Sequence, residues 1–226
     1  MEFFLKQSAW ITLICILSIS ISYASDGNSS FYVSGKFIAG LSDIENFENS
    51  GTITGTARDS EVDDIVGGFS GSVGYKWENF RFEAEYLWRY RFDFKNQFSG
   101  APTHIRSDIE TQSIMFKSHW LFDNQTKFTP YIGGGLGWAE HDAVTQRRDG
   151  PNLLGQPVTF LTSTTNNFIW TLMLGINYSI SSNWNVDLGY QYSDLGEIEF
   201  GTFTDGANVD SEYNSHDFTI GINYFF

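Results

Sequence analysis

Residues 80–94, FRFEAEYLWRYRFDF, alternate without a break. Phe80, Phe82, Ala84, Tyr86, Trp88, Tyr90, Phe92 and Phe94 fall on one side of an extended chain. Arg81, Glu83, Glu85, Leu87, Arg89, Arg91 and Asp93 fall on the other. Successive side chains of a strand point to opposite faces, so this pattern marks a strand between two different media. Few architectures accept a face of aromatic rings backed by a face of ionised groups.

The rhythm recurs along the chain. It predicts further strands over about 31–41, 65–77, 110–122, 128–138, 168–180, from Trp184 onward, and in the terminal HDFTIGINYFF. In that last segment Phe218, Ile220, Ile222, Tyr224 and Phe226 share one face. The total is eight strands. Residues 78–79, 123–127 and 181–183 are short connections, whereas 42–64, 95–109, 139–167 and 193–212 are long and polar. Tight turns at one end and long loops at the other are the pattern of a transmembrane barrel with periplasmic turns and extracellular loops. The expected fold is all-β: an eight-stranded antiparallel up-and-down transmembrane β-barrel with four long extracellular loops.

A soluble barrel with its apolar face inward is the competing arrangement. The interior of eight strands is only just wide enough for packed side chains or one small ligand. The rings of residues 80–94 alone overfill it. Reversing that strand would put Arg81, Arg89, Arg91 and three carboxylates into lipid, at a cost of about 10 kcal/mol even after allowing for depth. The rings therefore face lipid and the charges face the axis. There Arg81, Glu83, Glu85, Arg89, Arg91 and Asp93 are expected to meet Lys36, Lys76, Lys117, His119 and Asp187 in a structural network, because buried charge persists only when paired. Trp77, Phe80, Phe122, Phe128, Tyr178, Trp184 and Phe226 all lie beside short turns, as an interfacial aromatic girdle does.

The N-terminus agrees. MEFFLKQ is followed by the uncharged SAWITLICILSIS and then Ser22-Tyr23-Ala24, small residues three and one positions before a cut. Residues 1–24 read as a cleaved secretory signal and 25–226 as one barrel domain. The single cysteine, Cys15, leaves with the signal, so no disulfide staples the exported chain. Aromatics make up 17% of residues and prolines number only 4, a β composition. A formal net charge of −14, with no Lys or Arg after Arg148, argues against a nucleic-acid partner, which needs a basic footprint.

IETQSIMFKSHWLFDNQTKFTPYIGGGLGWA, NVDLGYQYSDLG and the terminal HDFTIGINYFF resemble hairpins of the small outer-membrane β-barrel superfamily that includes opacity-type surface proteins, with weaker support from SSFYVSGKFIAGLSD. The resemblance covers about residues 111–139 and 184–226. It implies a Gram-negative outer membrane, with lipids and lipopolysaccharide around the barrel. It also implies that Phe218, Ile220, Ile222, Tyr224 and Phe226 form the signal read by the barrel-assembly machinery. Its members are mostly surface antigens, adhesins or integrity proteins, so a host or extracellular ligand bound through the loops is expected of a monomer.

Loops 42–64 and 193–212 are acidic; the second holds Asp194, Glu197, Glu199, Asp205, Asp210 and Glu212 and no base. None has the regular spacing of a Ca²⁺ loop, so a solvated face is expected, with no metal and no cofactor. Arg147-Arg148 could meet lipopolysaccharide phosphates. Two alternatives stay open. One is a narrow channel or small-solute porin past Gly133, Gly135 and Gly137. The other is a lipid A-modifying acyl hydrolase or transferase, which needs Ser, His and a carboxylate in reach. Ser215-His216-Asp217 supplies those types, but neighbours on a strand face opposite ways. The sequence favours a non-enzymatic surface protein with a structural or adhesive role.

Overall fold

A computed structural model describes residues 29–50, 61–97, 103–149, 158–202, 206 and 208–226, with backbone alone near several strand ends. Eight strands run β1 Ser29–Ser50, β2 Glu61–Trp77, β3 Phe80–Gln97, β4 Thr103–Leu121, β5 Phe128–Asp149, β6 Val158–Ser179, β7 Trp184–Thr202 and β8 Asn208–Phe225. Each pairs antiparallel with its sequence neighbours, and β8 returns to β1 to close the barrel. The closing ladder runs from Tyr32↔Phe225 to Ser50↔Asn208. The Phe226 N–H donates to the Phe31 carbonyl at 3.0 Å, so even the last residue is fixed. Closure leaves no strand edge, the condition for placing sheet backbone in lipid.

Side-chain chemistry sets the short turns. Glu78 takes a positive φ of 51° in the two-residue turn between β2 and β3. Asn124 folds the β4–β5 turn by accepting from the Thr126 N–H at 2.8 Å and donating to the Phe128 carbonyl at 2.9 Å, the way Asx side chains mimic a turn. Asn183 in the next turn donates to the Phe225 carbonyl at 2.8 Å, which ties the turn to β8.

The strands run further than strict alternation indicates. Each is 17 to 22 residues long. A bilayer needs only about 9–11, so much of what reads as loop in 42–64, 95–109, 139–167 and 193–212 continues the ladder beyond the membrane. On β1, β3 and β7 bulges hide this continuation from the sequence. Register slips occur between Glu45 and Glu48 on β1, between Arg89 and Phe92 on β3, and between Asp194 and Glu197 on β7.

At the β7 bulge Gly196 has φ 79°, a left-handed conformation that favours glycine. The inserted residue resets the phase, so that Ile198 and Phe200 are buried while Glu197 and Glu199 remain exposed. Asn167 clamps the bulge by donating to the Leu195 carbonyl at 3.2 Å and the Glu197 carbonyl at 2.5 Å. A Cβ on Gly196 would lie 2.7 Å from Asn167 Cγ. Gly196→Ala is therefore expected to destabilise the barrel by about 1–3 kcal/mol, read as a lower urea midpoint for tryptophan fluorescence in detergent micelles.

Candidate functional site

The inward faces of the strands carry a continuous polar column. At the turn end Asn223 donates to Asn177 Oδ1 at 3.2 Å, and Arg81 donates to the same oxygen at 3.1 Å. Arg81 also reaches Asp187 at 3.2 Å, and Tyr131 donates its hydroxyl to that carboxylate at 2.8 Å. The guanidinium lies between the Tyr32 and Tyr131 rings, at 5.6 and 5.1 Å from their centroids, a cation–π sandwich. Lys36 then bridges Glu83 at 2.9 Å and Glu85 at 3.1 Å. Lys117 pairs with Glu85 and donates to Gln191 at 3.2 Å. Gln191 donates to Asp217 at 3.0 Å, and Asp217 receives Arg89 at 2.8 and 2.5 Å. Ser215 closes the series, accepting from Arg89 at 3.1 Å and donating to Asp217 at 2.7 Å.

Four bases (Lys36, Arg81, Arg89 and Lys117) thus meet four carboxylates (Glu83, Glu85, Asp187 and Asp217), all of them buried. Desolvating ions costs several kcal/mol each, and only close opposite charges with further hydrogen bonds offset it. The column meets that condition by drawing residues from every strand but β2.

Small residues make room for it. A Cβ on Gly74 would fall 2.3 Å from the Tyr32 ring, and one on Gly175 would fall 2.5 Å from the Tyr131 ring. Gly135 similarly lies under Lys117, and Gly221 under Lys36. The space left by Gly133, Gly135 and Gly137 is accordingly filled by Lys117, Met173 and the β4 backbone rather than open as a path. A cavity of about 10 Å³ beside Lys36, Glu85, Lys117, His119 and Gln191 has room for about one water.

Beyond Arg89 the interior changes character. Val66, Ile109, Ala139, Ala143, Ile169, Leu195, Ile198, Phe200, Val209 and Tyr213 pack into a buried apolar layer. The exterior changes in the opposite sense at the same level. Phe37, Phe116, Leu172 and Phe218 are more than half exposed below it; Glu140, Glu197, Glu199 and Glu212 are exposed above it. A row of aromatic side chains marks the boundary, and neighbouring strands satisfy their polar atoms. Tyr86 donates to Gln112 at 2.7 Å, Trp88 to Glu110 at 2.8 Å, Trp170 to Asp194 at 3.0 Å and Tyr192 to Asn214 at 3.1 Å. At the turn end Trp77, Phe80, Phe122, Phe128, Trp184 and Phe226 are exposed and Tyr178 is half-buried. Between these two belts the wall is apolar outside and charged inside.

The sequence-derived residues fall as follows. Arg81, Glu83, Glu85, Arg89, Lys117, His119 and Asp187 are all inside and buried. His119 packs edge-on to Tyr131, with Nδ1 at 3.4 Å from the Arg81 carbonyl oxygen. The side chains of Arg91 and Asp93 lie outside the described residues. The β3–β4 register slips between Arg89 and Phe92. Lys76 is a correction: it sits half-buried at the turn end, 3.9 Å from Asp123, outside the column. Arg147 is another, since it is only 8% exposed and faces inward, not toward lipid headgroups. Phe218, Ile220, Ile222 and Phe226 face outward and Tyr224 is half-buried.

Sequence reasoning missed Asp217, Gln191, Asn177 and Tyr32 as members of the column. Asp217 stands on the polar face of the terminal segment, but its partner Arg89 lies 128 residues away and across the barrel. Ser215 and Asp217 point inward while His216 points outward, its Nδ1 bonded to the Tyr190 hydroxyl at 2.7 Å. The Ser-His-Asp run is thus split across the wall. His141, buried in the apolar layer, has both ring nitrogens engaged, with Thr111 at 2.8 Å and the Leu195 carbonyl at 2.9 Å.

A closed barrel with rings outside, compensated charge inside and an aromatic belt at each boundary defines a transmembrane β-barrel. The chain belongs to the outer membrane protein beta-barrel domain family, whose sequence profile matches residues 11–226, and it is a surface protein of the bacterial outer membrane. It is 25% identical over 238 residues to outer membrane protein PagN of Salmonella typhimurium, covering 94% of this chain and 98% of that protein. It is also 25% identical over 210 residues to the 31 kDa outer-membrane immunogenic protein of Brucella melitensis, covering 88% of this chain and 81% of that one. Among solved structures, Neisserial surface protein A aligns with a TM-score of 0.53 at 19% identity, over 88% of this chain and 99% of that one. OprG from Pseudomonas aeruginosa aligns at 0.54 and 11% identity, over 87% and 96%. These two likenesses concern the fold alone.

The Arg89–Asp217 pair gives a direct test of the column. Asp217→Ala would leave a buried guanidinium without its carboxylate and is expected to cost about 3–5 kcal/mol. Replacing both members, Arg89→Met with Asp217→Leu, is expected to restore most of that loss. Urea unfolding of the three proteins in micelles measures both changes.

Proposed function

We propose that the protein is a non-enzymatic, non-conducting surface protein. Its membrane half is a structural mount, and its extracellular half makes adhesive or antigenic contacts with host or other extracellular molecules. The observation that carries this reading is the sealed interior. Among the described residues a charge-matched column fills the membrane half, and a mainly apolar layer with hydrogen-bonded Ser42, Ser107, Thr145 and His141 caps it, an arrangement that argues against a hydrated ion path or a substrate cleft in the lumen. Residues 1–24 act as the cleaved export signal. The outward aromatic and aliphatic residues from Phe218 to Phe226 act as the segment engaged by the barrel-assembly machinery, and the luminal charges serve stability. The name of the Brucella relative, an immunogenic outer-membrane protein, supports exposure of such a surface to a host. The closed lumen disfavours a porin, and the split Ser215-His216-Asp217 run removes the local acyl-transfer candidate.

Three measurements test the proposal. In planar bilayers the purified barrel is expected to give no discrete current steps, and Glu83→Ala is expected to lower stability without opening it, because the apolar cap is untouched. Steady single-channel currents from either protein would overturn the sealed-lumen reading. Lipid A mass spectra of cells with and without the protein are expected to be identical; a changed acyl pattern would make it an enzyme. Cells displaying the protein are expected to bind host cells or serum factors, and exchange of the 51–60 and 203–207 segments for short Gly/Ser turns tests whether the hairpin tips carry that binding.

A further inference from the structure

His216 is misplaced for a purely lipid-facing residue. Its outward-facing row across the sheet reads Leu172↔Tyr192↔His216↔Leu41↔Ile65, with every other member apolar or aromatic. Its side chain is 41% exposed. An imidazole in such a row is costly unless something polar meets it. Nδ1 is taken by the Tyr190 hydroxyl at 2.7 Å. Nε2 lies 3.7 Å from Asp43 Oδ2, beyond direct hydrogen-bond reach but spanned by a single hydroxyl with two legs of about 2.8 Å.

The rings around it form a contiguous cluster, tilted at 59° between Trp170 and Tyr192, 53° between Tyr192 and His216 and 32° between His216 and Tyr190. Trp170 lies 5.6 Å from Tyr192, Tyr192 lies 5.1 Å from His216, and His216 lies 6.2 Å from Tyr190. Tyr192 is pinned by its hydrogen bond to Asn214 at 3.1 Å, so the ring is held in place. This cluster stands on β6, β7 and β8 at the level where the outer wall changes from apolar to acidic. That level is the border between acyl chains and headgroups.

The geometry points to a sugar-binding site for an outer-leaflet glycolipid, with a sugar ring against Tyr192, whose ring centroid lies 5.1 Å from that of His216, and one of its hydroxyls between His216 Nε2 and Asp43. Aromatic faces flanked by hydrogen-bonding carboxylate and imidazole groups suit a hydroxyl-rich, apolar-faced ring. A phosphate would instead meet the Asp43 carboxylate. The site uses no residue of the luminal column and does not depend on the adhesive role proposed above.

The full-chain protein in phosphatidylcholine nanodiscs, with histidine labelled for NMR and the His216 signal assigned from His216→Asn, provides the test. Titration with lipid A, and equally with its dephosphorylated form, is expected to shift the His216 signal saturably, whereas phosphatidylglycerol is expected to leave it unmoved. Tyr192→Leu is expected to weaken the lipid A response about fivefold while heat-dependent gel mobility shows the barrel folded. Absence of a saturable shift, a shift that requires phosphate, or a folded Tyr192→Leu variant with unaltered response would each overturn the site. Should that variant not fold, the titration of the unaltered protein decides the matter.

Discussion

Charge compensation across the lumen is the condition on which the structure depends. Arg81, Lys36, Lys117 and Arg89 ascend the axis in contact with Asp187, Glu83, Glu85 and Asp217. Apart from Lys117–Glu85, which spans the β3–β4 hairpin, the contacts join strands that are not neighbours in sequence, so those pairs form only when the barrel has closed with the correct stagger. A slip of one residue on any strand would turn its charges into lipid and its rings into the lumen. The same pairing that tolerates ions in a narrow interior thus also selects the register. Glycines at 74, 135, 175 and 221 are the counterpart, because the long side chains occupy the volume a Cβ would take.

Along each strand the protein changes from one solvent logic to another. In the membrane half the wall is oily outside and ionic inside. Above the aromatic row it is acidic outside and oily inside, as in a water-soluble barrel. On β1, β3 and β7 bulges accompany this inversion, since each adds a residue and resets which face an alternating sequence presents; on β5 and β6 the register is unbroken and the residue types change instead. At Gly196 the reset places Ile198 and Phe200 in the apolar layer and leaves Glu197 and Glu199 facing water. The extracellular part consequently has a packed core of its own, and its shape is set by strand pairing rather than by loop conformation alone.

The eight membrane strands, their order and their facing were legible because lipid imposes strict alternation. The 80–89 stretch fixes its own phase by the cost of exposing Arg81 and Arg89. Inward placement of Glu83, Lys117 and Asp187 follows from the same count. Their partners were not legible. Arg89 finds Asp217 and Lys36 finds Glu83 through the stagger of a closed barrel, which no local pattern encodes. The long extensions of β1, β5 and β6 were read as loops because apolar and polar residues no longer alternate there as they do in lipid, and on β1 a bulge also breaks the period. Lys76 was misplaced for a related reason: alternation gives a side chain its face but not its height, and height decides whether a base is sealed in the column or bathed in solvent.

The sealed interior directs attention to the outer wall. Among the described residues the barrel's interior is filled by matched ions and then by a mainly apolar layer, which leaves little internal surface for recognition. Its remaining chemistry lies on the outward faces of the protruding strands and at their tips. Because those strands share an apolar core, residues such as Glu197, Glu199 and Glu212 are held at fixed spacing on adjoining strands. A partner meeting this wall would encounter a preorganised surface and would lose little affinity to ordering it. That property distinguishes recognition by a β-wall from recognition by long flexible loops, and it follows from the bulge that turns Ile198 and Phe200 inward.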